Sequence, residues 1–236
     1  MLLESYHELI DGRVIISAAR ASRFAREVAG DYNPIHDPDA RRFCVPGDLL
    51  FALVLKHYGL SQRMHFRFSA MLGADVPLQF PASPGECFQI KDDEGRVYLE
   101  VSRAGTVIED PGTIERFTRR YVGFSGKNFP DVLTPLMARE GVMFNPERPL
   151  VIYDSMAFEL HVPQAVDRAE LTLADSRMQL TGKRAEALLE FHISDAQQLA
   201  GEGSKKLVLS GLQPYDEARM AAFTRAFSRR REEAAG

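Results

Sequence analysis

Residues 48–58 read DLLFALVLKHY, and they decide the fold. Leu49, Leu50, Phe51, Leu53, Val54 and Leu55 cover the whole circumference of a helix, and a helix apolar on every side is a buried one. Asp48 is placed to cap its first turn and Gly59 to end it. His57 reads as a packed core histidine of this helix, or one at the pocket end, rather than a catalyst. Outward from it, the periodic segments are strands. Met64, Phe66, Phe68 and Ala70 alternate with polar residues, as do Val97, Leu99 and Val101, Leu171 and Leu173, and Leu189, Phe191 and Ile193. Asp92-Asp93-Glu94-Gly95 predicts a hairpin turn, and further strands are expected at residues 150–160, 169–174, 187–193 and 206–209. A buried helix among antiparallel strands implies an α+β fold with a sheet wrapped around a central helix.

Just ahead of that helix lies Gly30-Asp31-Tyr32-Asn33-Pro34-Ile35-His36. Gly30 is permissive, and Asn33-Pro34 is a turn dipeptide whose first residue is pushed out of the helical region. The segment is therefore a turn that brings the carboxylate of Asp31 towards the imidazole of His36. Such a pair can move protons to and from a substrate.

Composition excludes several function classes. The net charge of −4 is mixed along the chain, which gives no footprint for nucleic acid. Cys44 and Cys87 are far apart, so neither a zinc site nor a disulfide framework is readable. A calcium loop starting at Asp31 fails, because Ile35 and Arg42 stand where oxygen ligands are required. His36-Asp37 lacks the further helical histidines of a metal phosphohydrolase, so no metal site is expected. Cys44 has no partner that would make it a nucleophile. The first residues lack the basic start and apolar core of a signal peptide, and no apolar run reaches membrane-spanning length. The expected location is the cytoplasm, without membrane or nucleic-acid partners.

In the second half, residues 129–140 predict a helix that Pro135 kinks or confines to Leu136 onward. Gly126 and Pro130 repeat the spacing of Gly30 and Pro34; in that register Lys127 replaces Asp31 and Val132 replaces His36, so a second copy would have no acid-base pair. Residues 216–233 predict an exposed terminal helix carrying Arg229-Arg230-Arg231.

Phe24, Gly30, Asp31, Asn33, Pro34 and His36, followed by DLLFALVLKHYGL, resemble the signature of MaoC-like dehydratases, which include the (R)-specific, type-2 enoyl-CoA hydratases. The chain as a whole is also similar to a bacterial family of this length with no assigned reaction. The resemblance implies a hot-dog fold working in pairs, either as a homodimer or as a tandem pseudo-dimer. This length suits the tandem form, with a motif-bearing unit at 1–122 and a degenerate unit with the terminal helix at 123–236. It further implies that Asp31 and His36 share one water and add it to an enoyl thioester of CoA or of an acyl-carrier protein, with no other cofactor. Asn33 would position the pair, Gly47 would offer a backbone N–H to the thioester oxygen, and Tyr32 and Asp48 would join the substrate-binding residues.

Pro46-Gly47-Asp48 departs from the His-Gly pair usual at that helix entry. Pro46 removes one potential donor, and a charged Asp48 facing the pocket would repel a developing enolate. These departures keep two alternatives open: a hot-dog thioesterase that uses Asp48, and a non-catalytic protein that binds an acyl ligand.

Overall fold

The computed structural model describes residues 2–195 and 198–235. A short hairpin of β1 (Glu8–Ile10) and β2 (Arg13–Ile15) leads into α1 (Ala18–Phe24), which Ser17 caps through its hydroxyl. After the motif comes α2 (Gly47–Tyr58), then β3 (Leu60–Phe68), β4 (Cys87–Lys91) and β5 (Val97–Ile108). Next is α3 (Pro111–Asn128), which passes through a π turn at Phe129–Leu133 into α4 (Thr134–Arg139). The rest is β6 (Val142–Met143), β7 (Leu150–Leu160), β8 (Glu170–Thr181), β9 (Arg184–Asp195), β10 (Gln198–Ser210), β11 (Gln213–Pro214) and α5 (Glu217–Ala235).

Among the described residues, seven strands form one antiparallel sheet in the order β4-β5-β3-β7-β10-β9-β8. The β4–β5 hairpin closes at Asp92, whose Oδ1 accepts the N–H groups of Glu94 and Arg96 at 3.0 and 2.9 Å. The pair β3–β7 joins the two halves of the chain, with Phe66 opposite Met156. Against the sheet lies α2, with Leu49 to Leu55 all buried. Phe51 stacks on Tyr121 of α3 at 4.2 Å and meets Phe66 of β3 at 4.9 Å. A long antiparallel sheet packed on a buried helix is the hot-dog architecture, and the chain is an α+β protein of that kind. Among the described residues no helix is long and apolar enough to cross a membrane.

Three expectations need correction. α2 begins at Gly47, with Pro46 at the cap position; Asp48 lies inside the first turn and makes no cap, because its carboxylate turns inward to other partners. His57 is exposed, its ring resting on Phe80 at 4.9 Å, because the last turn of α2 emerges from the core. The helix expected at 129–140 is present as the π turn followed by α4, with Pro135 in the first turn of α4 and not confining the helix to Leu136 onward. It continues from α3, a helix the strand-dominated reading leaves out. Residues 122 and 123 fall inside α3, whose Phe117, Tyr121 and Val122 enter the same core as α2. Val132 packs on a second core beneath α4 and α5, while the side chain of Lys127 lies outside the described residues.

Candidate active site

The motif is built by local hydrogen bonds that its own residues supply. The helical segment from Ala18 ends at Gly30, whose φ of +65° is open to glycine at little cost. Directly behind it α3 presses close: a Cβ on Gly126 would sit 1.9 Å from the Ala29 carbonyl oxygen, so only glycine fits there. The Asp31 N–H donates to Ala25 O at 2.8 Å, and Asp31 Oδ1 accepts the Asn33 N–H at 2.8 Å. Asn33 caps the single 3₁₀ turn Pro34–His36, its Oδ1 accepting from the Ile35 N–H at 3.3 Å while its Nδ2 reaches Val151 O at 3.5 Å.

This framework aims two side chains at each other. His36 Nδ1 lies 2.7 Å from the Cys44 carbonyl, which can only accept, so the proton on Nδ1 is fixed there. Nε2 is left to face Asp31 Oδ2 at 3.5 Å. Burial pulls the His36 imidazolium down. The hydrogen-bonding and charge of Asp31, the Cys44 carbonyl and the charge of Asp48 outweigh it, and the pKa ends above the ordinary 6.5.

Both groups line a pocket of about 160 Å³ that also takes in Asn33, Gly47, Asp48 and Tyr153. The first N–H groups of a helix have no intrahelical acceptor, and the start of α2 lies in this wall. A Cβ on Gly47 would come within 3.0 Å of the Phe68 ring, so glycine lets that ring close over the helix start. Cys44 lines the pocket too, but burial pushes its thiol up to about 11 and so keeps it protonated.

Asp48 is 2% exposed. Ser125 of α3 donates its hydroxyl to Asp48 Oδ1 at 2.8 Å, and Lys205 of β10 places its ammonium 3.6 Å from the same oxygen. Lys205 is itself 0% exposed and donates to Ser125 Oγ and to Tyr121 O, the latter at 3.2 Å. Its Nζ sits over the Tyr121 ring at 3.9 Å. Burial raises the Asp48 carboxyl against the pull of Lys205 and Ser125. It also lowers Lys205 to about 8 against the pull of Asp48.

Asp31, Asn33, His36, Gly47 and Asp48 are thus brought together as the sequence implies. Tyr32 is not: its ring points into the second core, edge-on to Phe227 of α5 at 5.8 Å. In an extended turn, neighbouring side chains diverge, so Asp31 and Asn33 facing the pocket send Tyr32 away from it. Sequence reasoning missed Ser125, Tyr153 and Lys205. One signal was available, since Lys205 shares its strand phase with the buried Leu207 and Leu209.

Residues 1–218 match a family described as Protein of unknown function (DUF3581). The chain belongs to this family. The match takes in every residue lining the pocket and stops in the first turn of α5. No curated protein matches the sequence. Two solved structures are similar to this DUF3581 chain. One is a conserved protein of unknown function with hot dog fold from Alicyclobacillus acidocaldarius, 12% identical over 91% of this chain and 99% of its own, with a TM-score of 0.47. The other is the acyl-CoA thioesterase II TesB2 from Mycobacterium marinum, 12% identical over 92% of this chain and 100% of its own, with a TM-score of 0.41.

Proposed function

We propose that the chain is an acyl-thioester hydratase/dehydratase that adds water reversibly to a trans-2-enoyl thioester of CoA or a carrier protein. One observation carries this reading: Asp31 Oδ2 and His36 Nε2 face each other across 3.5 Å in the pocket that the N-terminus of α2 enters. The thioester oxygen lies against the N–H groups at Gly47 and Asp48, where the helix dipole favours negative charge. A water between Asp31 and His36 attacks C3 and gives a proton to Asp31, while protonated His36 delivers one to C2. Proton return from Asp31 to His36 resets the pair, and dehydration runs the same steps backwards. The Cys44 carbonyl keeps the imidazole in the required orientation throughout.

The pocket is smaller than the ~300–1,000 Å³ of sites that enclose drug-sized ligands, so it suits the reacting end of an acyl chain, with the carrier outside. The test is loss of the ultraviolet absorbance of the enoyl thioester, with crotonyl-CoA first and longer chains after it. Turnover abolished by Asp31→Asn supports the reading; no turnover at any chain length points to an acyl-binding protein instead.

A second reading, a thioesterase, is favoured by the position of Asp48 in the same wall at the start of α2. It predicts free thiol released from saturated acyl-CoA, lost in Asp48→Asn and kept in Asp31→Asn. The bonds that already hold Asp48 Oδ1 weigh against it.

A further inference from the structure

Asp48 is out of place in a wall meant to receive a negative oxygen. A bare carboxylate in the first turn of α2 would occupy the positive end of the helix dipole and repel an enolate forming beside it. Lys205 answers that charge from behind. It does not line the pocket and cannot touch a substrate there. Its ammonium donates to Ser125 Oγ and Tyr121 O and faces Asp48 Oδ1 as an ion pair at 3.6 Å. Ser125 links the two, receiving from the ammonium and donating to the carboxylate. The rings of Tyr121, Tyr153 and Phe124 box the ammonium at 3.9, 5.6 and 5.9 Å. The other charged groups near Asp48 are Asp31 and His36, which line the same pocket. Asp48 is thus held by the charge and hydrogen bonds behind it, and the helix start in front keeps its positive potential.

We propose that Lys205 is a positioning residue of the oxyanion site: acting through Ser125, it neutralises and holds Asp48 so that the N-terminus of α2 can stabilise negative charge on a thioester oxygen. This deepens the hydratase reading and rests on it for the identity of the thioester. A buried ion pair is often no better for stability than a matched apolar pair, so stability alone gives this one little reason to exist.

The probe is acetoacetyl-CoA, a 3-ketoacyl thioester whose enolate has its own ultraviolet band. A site that stabilises charge on the thioester oxygen raises the enolate fraction of the bound molecule, whether or not the protein hydrates anything. Wild type is expected to raise the band. Lys205→Met, which leaves Asp48 uncompensated, is expected to lower the enhancement by at least about ten-fold, on the scale of losing an oxyanion donor. The double variant Asp48→Asn with Lys205→Met removes both charges and is expected to recover to within about three-fold of wild type. Where Lys205→Met fails to fold, which circular dichroism reports, the double variant decides alone: recovery supports the proposal and a low band overturns it. A wild type that raises no band also overturns it, as does a folded Lys205→Met that matches wild type. Enolate enhancement without hydration of any enoyl-CoA leaves this inference standing and sinks the hydratase reading.

Discussion

Asp31–His36 in the pocket and Asp48–Lys205, of which only Asp48 reaches the pocket wall, are two acid-base pairs built for opposite ends. Asp31 and His36 keep side chains 20% and 13% exposed, with Oδ2 and Nε2 directed at each other across a gap at the outer limit of a hydrogen bond. The side chains of Asp48 and Lys205 are 3% and 0% exposed, and the ammonium is held by two protein acceptors and the Asp48 carboxylate. The first pair has polar capacity left for a substrate; the second has spent it on the fold. Burial and partner count, more than residue type, separate groups that can exchange protons from groups that fix a charge.

This contrast breaks most visibly in catalysis. Asp31→Asn and His36→Ala are each expected to lower hydration by about 10²–10⁴-fold in steady-state assays, with a smaller loss of stability than Lys205→Met. A comparable loss of stability in either would erase the distinction between the pairs. Lys205→Met should show the reverse balance. Breaking a buried pair on one side costs about 3–5 kcal/mol, read by urea unfolding, and adding Asp48→Asn should return part of it.

Gly126→Ala probes the contact that holds the Asp31–His36 pair in place. Its Cβ would meet the Ala29 carbonyl, so the turn carrying Asp31 must move. A cost of about 1–3 kcal/mol is expected, together with a fall in kcat out of proportion to it. Smaller again is the pH effect of His36. Its folded pKa lies above the ordinary 6.5, so the native state favours the protonated form. That stability is fully present below about pH 6.5 and is lost as pH rises through the raised folded value. Unfolding measured across this window should show the decline in wild type and a flatter profile in Asp31→Asn. The smallest change is Arg230→Ala, which removes a half-exposed bond from α5 to Asp37 at 3.1 Å. It should cost under about 1 kcal/mol by thermal melting.

What the sequence made legible follows the same division. The apolar run of α2 and the turn from Gly30 to His36 carry local rules, periodicity and turn chemistry, and both lie where those rules put them. α3 has local signals as well. Asp110 caps it, accepting the Thr113 N–H at 2.7 Å, and Pro111 opens it. Its buried Ile114, Phe117, Thr118, Tyr121, Val122 and Ser125 keep helical spacing, but the polar members of that face hide it from a search for apolar periods. Lys205 was hidden for a different reason. Its partner Asp48 lies far away in sequence on another element, and only the fold brings a strand lysine to a helix start. Tyr32 shows the limit from the other side, since membership of a motif does not say which way a side chain turns.

The most direct test of Asp31 and His36 as the proton-transfer pair is hydration of crotonyl-CoA in D₂O, followed by NMR of the product. Wild type is expected to give a 3-hydroxyacyl thioester with deuterium at C2 in one stereochemical position, and Asp31→Asn and His36→Ala essentially none. Product formed by those variants at the wild-type rate, or none from wild type with any enoyl chain, would contradict that assignment.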